Sequence, residues 1–165
     1  MKQVLSRKWL VAALVCVASV VGVLATSSRA PAQEQGKYVT EATVRLIKLM
    51  NAANKQGYAL KEDDFSIGGG WLKQSTEKWI PLYTIQLQEG KKYRFLAAGD
   101  ADAKDVDIEV QDSDGKVVAQ DVKTDPEASV DFSPTRTGRY LVRIRLYASD
   151  MNQPCACLAV VMTKQ

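Results

Sequence analysis

Histidine is absent from all 165 residues. That absence removes the commonest general base, the commonest zinc ligand and every Ser–His or Cys–His nucleophile pair. Carboxylate or lysine chemistry is what remains for catalysis, so a non-catalytic protein is the expectation and a carboxylate-dependent secreted hydrolase the competing class. Cysteine is scarce as well, with Cys16, Cys155 and Cys157 the full complement. Beyond residue 24 no apolar run approaches the length needed to cross a bilayer. No internal repeat or low-complexity tract is visible.

What is present begins with a basic segment, Lys2, Arg7 and Lys8, followed by an uncharged apolar run from Trp9 to Leu24 and a small, polar stretch ending Ala30-Pro31-Ala32. This is the layout of an export leader with a small-residue cleavage site, and residues 1–32 are expected to be a signal peptide. A retained anchor is the other reading of such a segment, and contact with a membrane is expected only through a leader left uncleaved. Cys16 lies in the middle of the apolar run with Val15 before it, which does not suit a lipid-anchoring cysteine.

Removing the leader changes the charge. The whole chain carries 22 Lys and Arg against 19 Asp and Glu, for a net +3. Four of the basic residues and none of the acidic ones lie in residues 1–32, which leaves 18 against 19. A mature chain near neutrality gives no footing for nucleic-acid binding, and a periplasmic or secreted location is expected.

Residues 33–57 read as a tether, Gln33 to Lys37, and one amphipathic helix. Val39, Ala42, Leu46, Ile47, Leu49, Met50 and Ala53 recur at three- and four-residue steps, with Thr40 as N-cap and Gly57 as the stop. That face is expected to pack on the domain that follows. Residues 58–78 mix the charged patch 61–64, the run Gly68-Gly69-Gly70 and isolated aromatics. No Gly-Lys-Ser/Thr follows the glycines, so a flexible or bulged connection is expected rather than a phosphate loop.

From Trp79 the period becomes two. Ile80 to Leu87, then Tyr93, Phe95 and Ala97, then Val106, Ile108 and Val110 alternating with Asp105, Asp107 and Glu109, read as strands. Asp114-Gly115 supplies a hairpin turn into Lys116 to Gln120, and Val130 with Phe132, Tyr140 to Leu146 and Leu158 to Met162 complete the set. Residues 58–165 are therefore expected to form one mainly β domain, an antiparallel sandwich.

The order Tyr93-x-Phe95 with Ala98-Gly99, Asp105-x-Asp107-Ile108-x-Val110 with Asp114-Gly115, and Phe132-x-Pro134 with Gly138-x-Tyr140-x-Val142-x-Ile144 resembles the bacterial pre-peptidase C-terminal domain over residues 79–162. The resemblance implies a jelly-roll-like β-sandwich that is not itself catalytic. It also implies a role in export, folding or attachment to a protein or polysaccharide surface, with calcium bound in some members. No protease domain precedes the sandwich here, which points to a free-standing binding or envelope protein.

Four sets of side chains are candidate sites. Asp100, Asp102, Asp105 and Asp107 offer hard oxygen ligands for calcium if their loop curls, and otherwise serve as turn formers. Arg139, Arg143 and Arg145 lie on one strand face; they suit an anionic ligand, or pair across strands with Asp105, Asp107 and Glu109. Trp71, Trp79, Tyr83 and Tyr147 are candidates for an aromatic platform that stacks on sugars, making a carbohydrate-binding module the second functional class. Cys155 and Cys157 are the only thiols after the leader; their spacing in an extended strand is at the limit for a disulfide, so a structural bridge or an inter-chain link is expected over redox exchange.

The leader reading is checked by mass. Exported protein should begin at Gln33, and an intact mass that retains residues 1–32 would contradict both the cleavage and the near-neutral mature charge.

Overall fold

A computed structural model describes residues 32–60 and 65–165. Residues 1–31 of the segment expected to be a leader, and the charged patch 61–64, lie outside the described residues. One helix, α1 (Ala32–Asn54), precedes nine strands: β1 (Tyr58–Ala59), β2 (Ile67–Leu72), β3 (Ile80–Leu87), β4 (Tyr93–Gly99), β5 (Ala103–Gln111), β6 (Val117–Asp121), β7 (Glu127–Phe132), β8 (Gly138–Ser149) and β9 (Cys155–Lys164). All pairings are antiparallel. Sheet A runs β2-β9-β4-β7, with β1 continuing beyond β2 along β9, and sheet B runs β3-β8-β5-β6. Except at the β5–β6 hairpin, consecutive strands from β2 onward switch sheets, which is the jelly-roll arrangement of the β-sandwich.

Alternation along β5 and β8 builds the interior. Val106, Ile108 and Val110 meet Tyr140, Val142, Ile144 and Leu146, and Phe95, Ala97, Cys157, Ala159 and Val161 close over them from sheet A. The other face of sheet A is also covered. Leu46 and Ala53 of α1, with Leu49 and Met50, press on Leu96, Ala98, Val160 and Met162. Burial on both faces explains why Leu96-Ala97-Ala98 and residues 155–162 are apolar without alternation.

The helix differs from expectation at its start. It begins at Ala32, so Gln33 to Lys37 form its first turns and not a tether. Thr40 is interior, its hydroxyl donating to the Gly36 carbonyl one turn back. The Gln-Glu-Gln stretch has high intrinsic helix propensity but no apolar periodicity, and so does not register as helix when only the apolar stripe is counted. Val39 and Ile47, expected on the packed face, are exposed. The stop at Gly57 is as expected, in the left-handed region at φ 79°, followed by buried Tyr58.

The connection expected at residues 58–78 contains β2, an edge strand. Three glycines depress strand propensity, yet the fold needs two of them. A Cβ on Gly68 would lie 2.9 Å from the Tyr83 ring, and one on Gly69 would lie 2.3 Å from the Cys157 carbonyl oxygen.

Val142 and Leu46 report on the two cores separately. Val142→Asp should abolish folding at ordinary temperature by placing an unpaired charge in the sandwich. Leu46→Ala should cost about 2–4 kcal/mol in urea unfolding while the sandwich still folds. A Leu46→Ala protein as stable as the parent would mean that α1 does not dock.

Candidate functional site

A network of ion pairs lies on the outer face of sheet B. Because Ile108 and Ile144 are register partners facing inward, the flanking partners Asp107–Arg145 and Glu109–Arg143 face outward together. Both carboxylates are buried nonetheless. The Arg145 Nη2 and Nε atoms lie 2.6 and 2.8 Å from Asp107 Oδ2, and Arg143 Nε lies 3.3 Å from Glu109 Oε1, which also accepts from Gln111 Nε2 at 2.9 Å. Of the rows expected to pair across strands, two pairs form, Asp107–Arg145 and Glu109–Arg143.

Arg145 is the hub. Its guanidinium carbon sits 4.6 Å from the Trp79 ring centroid and 4.8 Å from that of Tyr147, and its Nη1 donates to the Thr76 carbonyl. The segment between β2 and β3 is thereby fastened over the sheet, reinforced where Ser75 N donates to the Leu146 carbonyl at 2.9 Å and Ser149 N to Gln74 Oε1 at 2.8 Å. Burial raises the Asp107 pKa from its ordinary value, with the Arg145 hydrogen bond and charge opposing that rise. Asp105 is raised by burial and then by the charge of Asp107, and its Oδ1 is buried with no hydrogen-bond partner among the described residues. Arg139, at the start of β8 opposite Gln86, is exposed and apart from this hub. The three arginines therefore do not make one free anion site, since two are committed to carboxylates.

The four aspartates do not gather into a cage. Asp100 is fully buried at the β4–β5 turn, where Oδ1 accepts from the amides of Asp102 and Ala103 at 3.1 and 3.3 Å and Oδ2 accepts from the Ala156 amide at 2.6 Å. Burial raises its pKa while these amides act in the opposite direction. It ties the turn to β9, a turn-forming role, while Asp105 and Asp107 belong to β5. Among the described residues no three His, Cys, Asp or Glu side chains converge on a point that could hold a metal ion.

Cys155 and Cys157 are free thiols, both buried on the inner face of β9. The expected disulfide is not formed, because an extended strand keeps residues two apart at the far limit of bridging distance. Their burial also leaves no thiol at the surface for an inter-chain link. Burial, then the charge of Asp100, pushes the Cys157 pKa up to about 12 and raises Cys155 as well, so neither is poised as a thiolate.

The aromatic platform divides three ways. Trp79 and Tyr147 flank Arg145, Trp71 packs edge-on against Tyr38 at 5.6 Å, and Tyr83 points into the sandwich with its hydroxyl buried and unpartnered among the described residues.

Two arrangements were not legible from pattern. Arg94 grips Asp131 bidentately at 2.5 and 2.7 Å and lies 4.2 Å from the Tyr58 ring centroid, while the Tyr58 hydroxyl donates to Asp131. The alternation of Arg94 and Asp131 with inward Tyr93, Phe95, Val130 and Phe132 was the available signal. Between α1 and the β4–β5 turn lies an open cleft of about 330 Å³ lined by Glu41, Arg45, Lys48 and Glu127. Arg45 spends its charge there on the carbonyls of Gly99 and Asp100 at 2.8 and 2.7 Å.

No family model and no curated protein matches the chain. Among solved structures it is similar to a chain from the work titled "Bacillus endospore appendages form a novel family of disulfide-linked pili", with 15% identity, a TM-score of 0.34, and coverage of 65% of this chain and 96% of that one. A likeness so distant leaves the chain's own geometry to speak for its function.

Two measurements follow from this geometry. The melting temperature should be the same in excess calcium and in chelator, because among the described residues no three carboxylates converge on one point; a rise with calcium would mean that they do. Asp131 behaves oppositely to the buried aspartates. Arg94 holds its pKa below the ordinary value, so its contribution is present above the unfolded-state pKa and is lost as pH falls through the folded-state value. The stability deficit of Asp131→Asn should therefore be largest near neutral pH and shrink on acidification, and a deficit that grows in acid would contradict the pairing.

Proposed function

We propose that this chain is an exported, non-catalytic binding or accessory module of the cell envelope or the extracellular space, in keeping with the resemblance to pre-peptidase C-terminal domains. The observation that carries this reading is the Trp79–Arg145–Tyr147 stack on the outer face of sheet B. A surface arginine is ordinarily mobile, and its ion pair is worth little. Here Arg145 is held by a buried carboxylate, a backbone carbonyl and two rings, which fixes the rings in place before any ligand arrives. Preorganisation of that kind lowers the cost of binding.

Tyr147 retains 40% of its surface in solvent. An immobilised, accessible ring beside a guanidinium suits the apolar face and hydroxyls of a sugar, so a polysaccharide is the favoured surface and a protein partner the second. The leader composition supports action outside the cytoplasm.

The test is retention of the chain from Gln33 on insoluble envelope and extracellular polysaccharides, peptidoglycan, chitin and cellulose among them. The parent protein should be retained on at least one, and Tyr147→Ala should lower retention roughly five-fold or more with an unchanged melting curve. Equal retention of the two proteins, or retention of neither, would remove the sugar reading.

A further inference from the structure

Two sheets have four lateral edges, and an open edge accepts another strand unless charge, proline or a bulge prevents it. Three of the four are protected. Strand β3 carries Pro81 and a register shift between Pro81 and Tyr83. Strand β6 is five residues long, ends in Asp121 and pairs with β5 across a register shift, and β7 carries Glu127 and Asp131.

Strand β2 has no such protection. Residues 67–72, Ile-Gly-Gly-Gly-Trp-Leu, contain no charge and no proline. They pair with β9 without a register break, and among the described residues no strand occupies their other side. Ile67 is 54% exposed and Trp71 39% exposed, both on the same face of the strand. Gly70 adds an independent observation. Unlike Gly68 and Gly69, it has room for a side chain, since a Cβ there would meet only the Leu72 side chain at an ordinary 3.7 Å, and its φ is not in the left-handed region. Among the described residues nothing requires glycine at 70, and a strand glycine that neither a bulge nor a bend explains marks a place where a ligand or another backbone comes close.

We propose that β2 is an assembly edge and that its occupant is β2 of a second copy, added antiparallel across a two-fold axis so that sheet A continues through both molecules. Two-fold pairing sets a strand against itself, so a charge near its centre would face a like charge. An uncharged strand avoids this, and β2 is the described edge that meets the condition without a proline. Centred on Gly69, the pairing sets Ile67 of each copy opposite Trp71 of the other, a favourable aromatic–β-branched pair. It also sets Gly70 of one copy opposite Gly68 of the other. The Tyr83 ring already fills the space beside Gly68, which gives Gly70 the steric reason that the isolated chain lacks.

Sedimentation velocity on the chain from Gln33 across a concentration series tests this. The parent should show a monomer–dimer equilibrium, and Ile67→Lys should raise the dissociation constant roughly ten-fold or more by setting lysine into the paired edge. Gly70→Ala, which fits the single chain, should weaken the dimer while leaving the melting curve of the monomer intact, and it carries the test should Ile67→Lys lower that melting temperature. Val117→Lys on the β6 edge should leave the dimer unchanged. A parent that stays monomeric up to about 100 μM, a dimer that survives both β2 variants, or a dimer lost through Val117→Lys would each overturn the proposal.

Discussion

The register between β5 and β8 is the constraint on which the other features depend. With a side-chain period of two, one alignment decides both faces at once. The alignment that sets Ile108 against Ile144 and Val110 against Val142 inside the sandwich sets Asp107 against Arg145 and Glu109 against Arg143 outside it. A one-residue slip would turn two carboxylates and two guanidiniums toward an apolar interior, at a cost far beyond the stability of a domain this size. Arg145 is then in position to receive Trp79 and Tyr147, and through Thr76 it fastens the crossover from β2 to β3. The surface offered as a binding site is thus an outward consequence of core alignment.

Sheet A answers a different demand. Its central strands β4 and β9 are buried by sheet B on one side and by α1 on the other, so the helix is a third layer that shields Leu96, Val160 and Met162 from water. Its C-terminal end is anchored by polar contacts as well, where Arg94 donates to Gln56 Oε1 and to Asp131 and Lys164 reaches the Gln56 carbonyl. Buried Asp100 holds the opposite end of the sheet by joining the β4–β5 turn to the start of β9.

Much of the sandwich was legible because alternation and Asp-Gly or Glu-Gly turns are local signals. Strands β3 to β8, the turns at Gly90 and Gly115 and the inward faces of Tyr140, Val142 and Ile144 follow from them, while β9 registers as an apolar run buried on both faces. The cross-strand ion pairs were also within reach, since rows of opposite charge on alternating strands have few other places to go. Strand β2 was not legible, because two of its glycines, Gly68 and Gly69, are dictated by Tyr83 and the Cys157 carbonyl, contacts distant in sequence. The early start of α1 was hidden by polar residues that favour helix without marking a face. The candidate sites fared worse than the strands. The spacing of Asp100, Asp102, Asp105 and Asp107 in sequence says nothing of the turn that assigns Asp100 to β9 and leaves Asp105 and Asp107 on β5. For Cys155 and Cys157, proximity in the chain was offset by the geometry of an extended strand.

A charge exchange across the central pair tests the register most directly. Glu109→Arg and Arg143→Glu, each made alone, set like charges opposite one another where residue 109 is buried, and each should lower stability in urea unfolding by roughly 2–4 kcal/mol. Made together they restore an opposite-charge pair in the same two places, and most of that loss should be recovered, a favourable coupling well beyond additivity. A double variant as unstable as the sum of the two single ones would mean that Glu109 and Arg143 do not face each other, and the alignment on which the core and the outer face both rest would be wrong.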